Sequence, residues 1–138
     1  MTNHVPSKIQ LHRKSKVLEL SYPLQNSAAQ NTGETEKVEL RCEYLRVYSP
    51  SAEVKGHGPG QEVLQTGKRN VTINQIESIG NYAIKLTFSD GHDTGIFSWD
   101  YLRQLADNYE TNWQDYLKRL HDAGATRDPD VAVIQFKP

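Results

Sequence analysis

Five histidines are the residues of this 138-residue sequence whose chemistry is most open to interpretation. A non-haem iron site that begins with His-x-Asp or His-x-Glu is excluded, because no histidine is followed by a carboxylate at that spacing. His57 lies in the glycine-rich segment "KGHGPG", and His92 lies in the turn "SDGHDTG" between Asp90 and Asp93. If these loops meet, the two histidines could bind a metal ion with one carboxylate. The alternative is that His92 is a turn histidine whose ring hydrogen bonds a nearby backbone carbonyl or carboxylate.

Cys42 is the single cysteine, which excludes an internal disulfide and a CxxC metal or redox site. A nucleophilic thiol would need a neighbouring base, and the spacing of the sequence identifies none. We therefore interpret Cys42 as a small buried side chain. The single thiol fits a reducing compartment, and the N-terminal residues lack a signal peptide, so we expect a cytoplasmic protein.

Two short motifs resemble nucleotide-binding loops but lack essential residues. The segment "GHGPGQ" has no third glycine of a dinucleotide-binding fingerprint. Before Gly67-Lys68, Glu62 stands where a P-loop needs glycine, and Arg69 follows where it needs serine or threonine. The backbone of residues 56–60 could still form a small anion-binding nest, although a tight structural loop is the simpler interpretation.

The charge of the chain does not indicate a nucleic-acid or membrane partner. It contains 16 basic and 17 acidic residues, and no segment has the roughly 20 apolar residues of a membrane span. A local basic cluster, His12, Arg13, Lys14 and Lys16, lies between two strand-like segments. It could bind phosphate or nucleic acid, but no aromatic residues are interleaved for base stacking. We interpret it as a solvated hairpin tip.

Strands are expected first and helices last. Alternating apolar residues predict a β-hairpin over 8–22, a short strand at 38–40 with a helical turn over 42–46, and a three-stranded meander over 71–97. The polar segment 23–36 is expected to be a flexible loop. From Ser98 the apolar period becomes helical.

Two amphipathic helices are predicted at the C-terminal end. Ser98 is the expected N-cap of the first, while the second is expected to start at Thr111 or Asn112 and to end at Gly124. The predicted class is α+β, with a small antiparallel sheet, a hairpin plus a meander, packed by the two helices.

We expect one domain over residues 8–124, a disordered N-terminus over 1–7 and a C-terminal tail over 125–138. The tail contains the apolar run Val131 to Phe136, which could add to a sheet edge or dock on another molecule.

Two segments, "YLRVYSPSAEV" and "SDGHDTGIFSWDYLRQL", resemble the N-terminal domain of gamma-butyrobetaine hydroxylase and trimethyllysine hydroxylase. The sequence is more similar to the stand-alone bacterial proteins of the DUF971, or gamma-butyrobetaine hydroxylase-like N-terminal domain, family. The resemblance covers Lys8 to Gly124. In the hydroxylases, the iron, 2-oxoglutarate and substrate sites lie in a following domain, so the resemblance implies no oxygenase activity for this chain.

The resemblance also implies that the ligands of a structural zinc site are replaced in this chain. The hydroxylase domain holds a structural zinc through three cysteines after a Leu-Arg pair and one histidine. The corresponding positions here are Ser49, Ser51, Val54 and His92. Serine hydroxyls are poor zinc ligands and valine has no donor atom. We therefore expect an ordered, metal-free loop beside the His92 turn and no cofactor, with zinc or iron bound by His92 and His57 as the alternative.

The resemblance implies a domain that contacts another protein or a second copy of itself. In the hydroxylases this domain makes packing and dimer contacts, and related domains are fused to P-loop ATPases that carry iron-sulfur clusters. We expect a non-catalytic interaction or accessory module, with a link to iron-sulfur or metalloprotein maturation. The expected contact surface combines the glycine-rich loop with the His92 turn, and its residues are Arg46, Tyr48, Ser49, Ser51, Lys55, His57, Gln61, Asp90, His92 and Asp93.

Overall fold

The computed structural model describes residues 4–24, 35–56, 58 and 60–129. Its fold contains two separate three-stranded antiparallel sheets and four helices, of which two short ones lie between the sheets in sequence and two longer ones follow the second sheet. The α+β class is confirmed. The expectation of one sheet was incomplete, because the hairpin and the meander belong to different sheets. The chain passes directly from the first sheet into a helix and returns to a strand only at Ile73, so the two ladders do not join.

The first sheet has its strands in sequence order: β1 (Lys8–His12), β2 (Val17–Pro23) and β3 (Thr35–Arg41). Leu11, Leu18 and Leu40 are adjacent across the three strands. Leu18 and Leu40 are buried, while Glu39, next to Leu40 on the strand, is exposed. The alternation of apolar and polar residues therefore packs one face of the first sheet on the core and leaves the other face exposed to solvent.

The second sheet is the predicted meander: β4 (Ile73–Ile79), β5 (Ala83–Phe88) and β6 (Gly95–Ser98). The β4–β5 turn contains Gly80 at φ 54°, a backbone conformation that glycine adopts at little cost. The turn between β5 and β6 carries His92, and this connection places the histidine at one end of the second sheet.

Four helices complete the described fold: α1 (Cys42–Val47), α2 (Ala52–Lys55), α3 (Trp99–Asp107) and α4 (Tyr109–Asp122). The Ser98 cap is confirmed, since its hydroxyl accepts a hydrogen bond from the Tyr101 amide at 3.1 Å. Helix α4 begins at Tyr109, earlier than the predicted Thr111 or Asn112. Asn108 lies between α3 and α4 and serves as the C-cap of one and the N-cap of the other.

Helix α4 ends in a Schellman motif, as the predicted C′ glycine requires. Gly124 has φ 64° and donates to the His121 carbonyl, while Ala125 donates to the Leu120 carbonyl at 2.9 Å. The motif turns the chain back onto the domain, and Ala125 packs on the core. The helix C-terminus therefore directs the following residues toward α1.

The core lies between the sheets and helices, and Tyr44 occupies its centre. This side chain is fully buried, and its hydroxyl donates to the Leu105 carbonyl at 2.7 Å. The same hydroxyl accepts from the Asn112 amide at 3.0 Å, and the ring meets Tyr109 edge-on. Cys42 is also buried, and burial raises the pKa of its thiol, so the interpretation as a core residue is supported.

The packed chain extends beyond the predicted domain limits of 8 and 124. At the N-terminal side, the Ser7 amide and hydroxyl donate to the Ser21 carbonyl, although residues 1–3 lie outside the described part. At the C-terminal side, Arg127 binds the α1 residue Glu43. Residues 130–138, with the apolar run of the predicted tail, lie outside the described residues.

Three residues of the segment 23–36, which was predicted to be a flexible loop, lie in strands. Pro23 belongs to β2, and Thr35 and Glu36 belong to β3, while residues 25–34 are not described. Across the described ranges, no helix combines the length and apolar character needed to cross a lipid bilayer.

Candidate functional site

His92 and Ser49 meet in the interior, at the junction of the His92 turn and the loop after α1. Ser49 is fully buried, and the His92 side chain is 2% exposed. The distance between Ser49 Oγ and His92 Nε2 is 2.9 Å. Gly95 makes this approach possible, because a side chain there would collide with the Ser49 hydroxyl. The loop therefore lies against the histidine turn, as the sequence analysis expected.

Glu53 and Thr94 extend this contact into a hydrogen-bond network. His92 Nδ1 lies 3.2 Å from Glu53 Oε1, and the Thr94 hydroxyl donates to Glu53 Oε2 at 3.0 Å. Ser51 Oγ lies 2.7 Å from Thr94 Oγ1 and also accepts from the Glu53 amide, which caps α2. The bonds from Thr94 and His92 lower the pKa of Glu53. The network thus links two segments that are far apart in sequence.

Ser49, His92 and Glu53 are connected in the order of a nucleophile, a base and an orienting acid. A substrate could not approach the Ser49 hydroxyl, because Ser49 is completely buried and its oxygen also accepts from the Ser51 amide at 3.3 Å. We therefore interpret the three residues as a structural unit. Sequence analysis missed Glu53, although Ser51 followed by Glu53 is a recognisable start of a short helix.

Asp90 anchors the other side of the histidine turn. Its carboxylate accepts from Arg46 Nε at 2.9 Å and Lys68 Nζ at 2.6 Å, and it also accepts from the His92 amide. Burial opposes ionisation, but the bonds from Lys68 and Arg46 outweigh it and lower the pKa of Asp90. Arg46 Nη1 is buried and has no hydrogen-bond partner among the described residues. The turn is consequently held by ion pairs of Asp90 with Arg46 and Lys68 on one side and by the hydrogen bonds of His92 with Ser49 and Glu53 on the other.

The pKa of His92 is lowered, first by burial and second by the Arg46 charge, while Glu53 and Asp90 oppose the shift. The unfolded chain therefore binds a proton to this histidine at a higher pH than the folded chain does. The contribution of His92 to stability is fully present above its unfolded pKa of about 6.5 and decreases as pH falls toward its folded pKa.

We expect His92→Gln to flatten the pH dependence of the unfolding free energy between about pH 5 and 7. Urea denaturation at a series of pH values measures this slope. The matched control is His121→Gln, since His121 is exposed at the end of α4 and its replacement should leave the slope unchanged. An equal slope in wild type and His92→Gln would contradict the assignment.

The structure divides the predicted contact surface into an interior and an exterior part. Four of its residues are buried and support the surface from beneath: Arg46, Ser49, Ser51 and His92. Tyr48 is half-buried, and the exposed members are Lys55, Gln61, Asp90 and Asp93. His57 lies outside the described residues. Direct contact with a partner would therefore involve the exposed members and their neighbours.

The donor atoms near His92 do not fit a structural zinc ion. Both ring nitrogens of His92 are hydrogen-bonded, two of the family's cysteine positions carry hydroxyls, and Val54 offers no side-chain donor. Joint binding of zinc by His57 and His92 stays a prediction, because His57 is not described. Among the described residues, only one group of three or more potential metal ligands is close enough to share an ion. It consists of His12, Glu19 and Glu39, on the outer face of the first sheet.

A small cleft opens beside the loop, between the ends of α1 and α2, residues 62–65 and α4. Its volume is about 130 Å³, and Val63 at its edge is 52% exposed. Tyr48 and Tyr116 line it, and both are fixed by hydrogen bonds from their hydroxyls to backbone carbonyls at 2.8 and 2.7 Å. We call this feature the Val63 cleft. Its rim carries the opposite charges of Lys55 and Glu62.

The observed class is an α+β domain with two three-stranded sheets and a buried histidine turn packed on the loop after α1. Residues 9–103 match the gamma-butyrobetaine hydroxylase-like N-terminal family, and the chain belongs to this family. The resemblance found in the sequence is confirmed. The family's domain is not a catalytic domain.

Solved structures of similar chains agree with this assignment. Two proteins with NMR solution structures are each 47% identical in sequence to this chain. The match to the first covers 97% of this chain and 98% of the solved chain, with a TM-score of 0.72. The match to the second covers 99% of both chains, with a TM-score of 0.70. A crystal structure of a DUF971 protein of unknown function from Acidithiobacillus ferrooxidans ATCC 23270 is 35% identical, covers 75% of this chain and 93% of its own, and has a TM-score of 0.55. No functionally curated protein matches the chain.

Proposed function

We propose that this protein is a non-catalytic, cytoplasmic interaction domain that binds another protein through the Val63 cleft and the exposed residues of the adjoining loop. The observation that carries the proposal is that Ser49, His92 and Glu53 satisfy one another's hydrogen bonds within the protein. Each hydrogen-bonding atom of His92 has an internal partner, and the serine has no exposed surface. An arrangement of this kind supports a loop surface and offers no reacting group to a substrate.

The chemistry of the Val63 cleft suits an apolar side chain of a partner. Val63 presents exposed apolar surface, Tyr48 provides an aromatic wall, and the Lys55 ammonium lies 4.8 Å from the centre of the Tyr101 ring. A buried apolar anchor within a polar rim is the usual composition of a protein interface. Proteins of iron-sulfur or metalloprotein maturation are the first partners to test, following the family resemblance.

Site-specific photo-crosslinking tests this surface in cells. A photoreactive amino acid at Val63 is expected to give one dominant protein adduct, and the same amino acid at Tyr82 is expected to give none. Tyr82 is a suitable control because it is 58% exposed but does not line the cleft. Lys55→Glu should reduce the Val63 adduct about tenfold if the rim contributes roughly 1.4 kcal/mol.

Identical adduct patterns at Val63 and Tyr82 would contradict the proposed surface. An adduct with twice the mass of the chain would identify a second copy as the partner and would support a homodimer. If Lys55→Glu leaves the amount of the Val63 adduct unchanged, the polar rim of the Val63 cleft does not contribute to the interface.

A further inference from the structure

A second, strongly basic cleft lies where the β1–β2 hairpin meets the end of β3, residues 69–70 and the chain after α4. Its volume is about 320 Å³, and it shares no lining residue with the Val63 cleft. A volume of this size is at the lower end of the range of small-molecule sites. The cleft is formed by segments from four parts of the sequence, so the residue pattern alone could not have indicated it.

The lining is dominated by positive charge. Its four basic residues are Lys16, Arg41, Arg69 and Arg127, and its one acidic residue is Glu43. Arg127 pairs with Glu43 at 2.7 Å, and Arg69 pairs with Asp128 at 2.6 Å. Neither Lys16 nor Arg41 forms an ion pair with any described residue. In a chain of net charge -1, this local concentration of cations favours an anionic ligand.

Lys16 provides a second, independent observation. It is the single non-glycine residue at positive φ within the described chain, with φ 57°. Glycine adopts this conformation at little cost, whereas a lysine is strained there. Strain of this kind is concentrated at functional sites, where the side chain is needed. Lys16 lines the cleft, so the hairpin has a lysine at a cleft position where glycine would suit the backbone better.

The remaining groups favour phosphate over a nucleic-acid base. Ser15 and Asn70 add neutral hydrogen-bonding groups to the cleft. Trp113 contacts two of the lining arginines, but it is buried, and the guanidinium carbons of Arg41 and Arg127 lie 5.5 and 5.0 Å from its ring centre. The described residues that line the cleft include no aromatic ring on which a base could stack, while guanidinium and ammonium groups are suited to phosphate oxygens.

We propose that this basic cleft binds the phosphate or pyrophosphate group of a small molecule, with Lys16, Arg41 and Arg69 as its charged contacts. Lys16, one member of the hairpin's basic cluster, thereby gains a ligand-binding role together with arginines that are distant in sequence. The proposal is independent of the protein-binding function assigned to the Val63 cleft.

Isothermal titration calorimetry of the full chain with inorganic pyrophosphate tests the site. We expect saturable one-site binding, weakened about tenfold by Lys16→Gly and about tenfold by Arg69→Gln. Lys118→Gln removes the same charge at a residue that does not line the cleft and should leave the affinity unchanged. Thermal unfolding without ligand supplies a separate readout, because Lys16→Gly should raise the melting temperature by about 2–4 °C as it relieves backbone strain.

The combination of higher thermal stability and weaker pyrophosphate binding in Lys16→Gly would support a binding role for the lysine. Absence of saturable binding at about 10 mM pyrophosphate, or equal weakening by Lys118→Gln, would overturn the proposal. Binding to vesicles containing phosphatidic acid, without binding to soluble pyrophosphate, would also overturn it, and so would a clear preference for single-stranded RNA over pyrophosphate at equal ionic strength.

Discussion

Replacement of Arg127 by alanine is expected to lower the free energy of unfolding by about 3–5 kcal/mol. Arg127 forms two hydrogen bonds with the Glu43 carboxylate, at 2.8 and 2.7 Å, and the Glu43 side chain is 4% exposed. Removal of the guanidinium would leave a buried carboxylate without its counter-charge. Urea denaturation at neutral pH measures the loss.

The matched control for this prediction is Arg69→Ala. Arg69 makes a similarly short ion pair with Asp128, but its side chain is 45% exposed and that of Asp128 is 63% exposed. An exposed pair contributes about 0–1 kcal/mol, so the control should be nearly neutral. If Arg127→Ala is no more costly than Arg69→Ala, Glu43 must find water or another partner in the variant. Adding Glu43→Gln to Arg127→Ala should recover part of the stability, because the buried charge is then absent.

Introduction of three cysteines, Ser49→Cys, Ser51→Cys and Val54→Cys, is expected to produce a zinc-dependent increase in stability. The family resemblance places zinc ligands at these positions together with His92, and the structure brings Ser49 within 2.9 Å of the histidine. With free zinc about a thousandfold above the dissociation constant, binding adds about 4 kcal/mol, which corresponds to a melting temperature about 10 °C higher. Thermal unfolding with and without zinc, under reducing conditions, measures the effect.

Wild-type protein should show no such increase, because hydroxyls are weak zinc ligands and His92 is engaged by Ser49 and Glu53. The triple variant with His92→Ala added is the control for the fourth ligand. A zinc-dependent increase in wild-type protein that His92→Ala abolishes would instead support the metal site of His57 and His92. No increase in the triple variant would show that the three positions do not converge on one ion in this chain.

Local signals predicted the regular elements well. The Ser98 cap and the Gly124 terminus depend on hydrogen bonds within a few residues, and both are observed. The separation into two sheets depends on which strands pair, a choice that alternation of apolar residues does not determine.

The parts of the candidate sites that sequence analysis missed depend on contacts between distant segments. Glu53 gains its role from His92, and Arg127 gains its role from Glu43, and in both cases the partner is distant in sequence. The proposed basic cleft joins Lys16 of the hairpin to Arg41, Arg69 and Arg127, which are far from it in sequence. The burial of Ser49 and His92 could also be recognised only from the structure, because a polar residue type by itself predicts a position at the surface.

The bond between Arg127 and Glu43 also constrains the order of events during synthesis. The two residues are separated by 84 positions, so Glu43 emerges from the ribosome long before the side chain that neutralises it. The hairpin strands can pair early because their contacts are local, whereas docking of α1 would bury an uncompensated acid. Burial of the Glu43 carboxylate is therefore expected to become favourable only when the segment after α4 has been synthesised and Arg127 can pair with it.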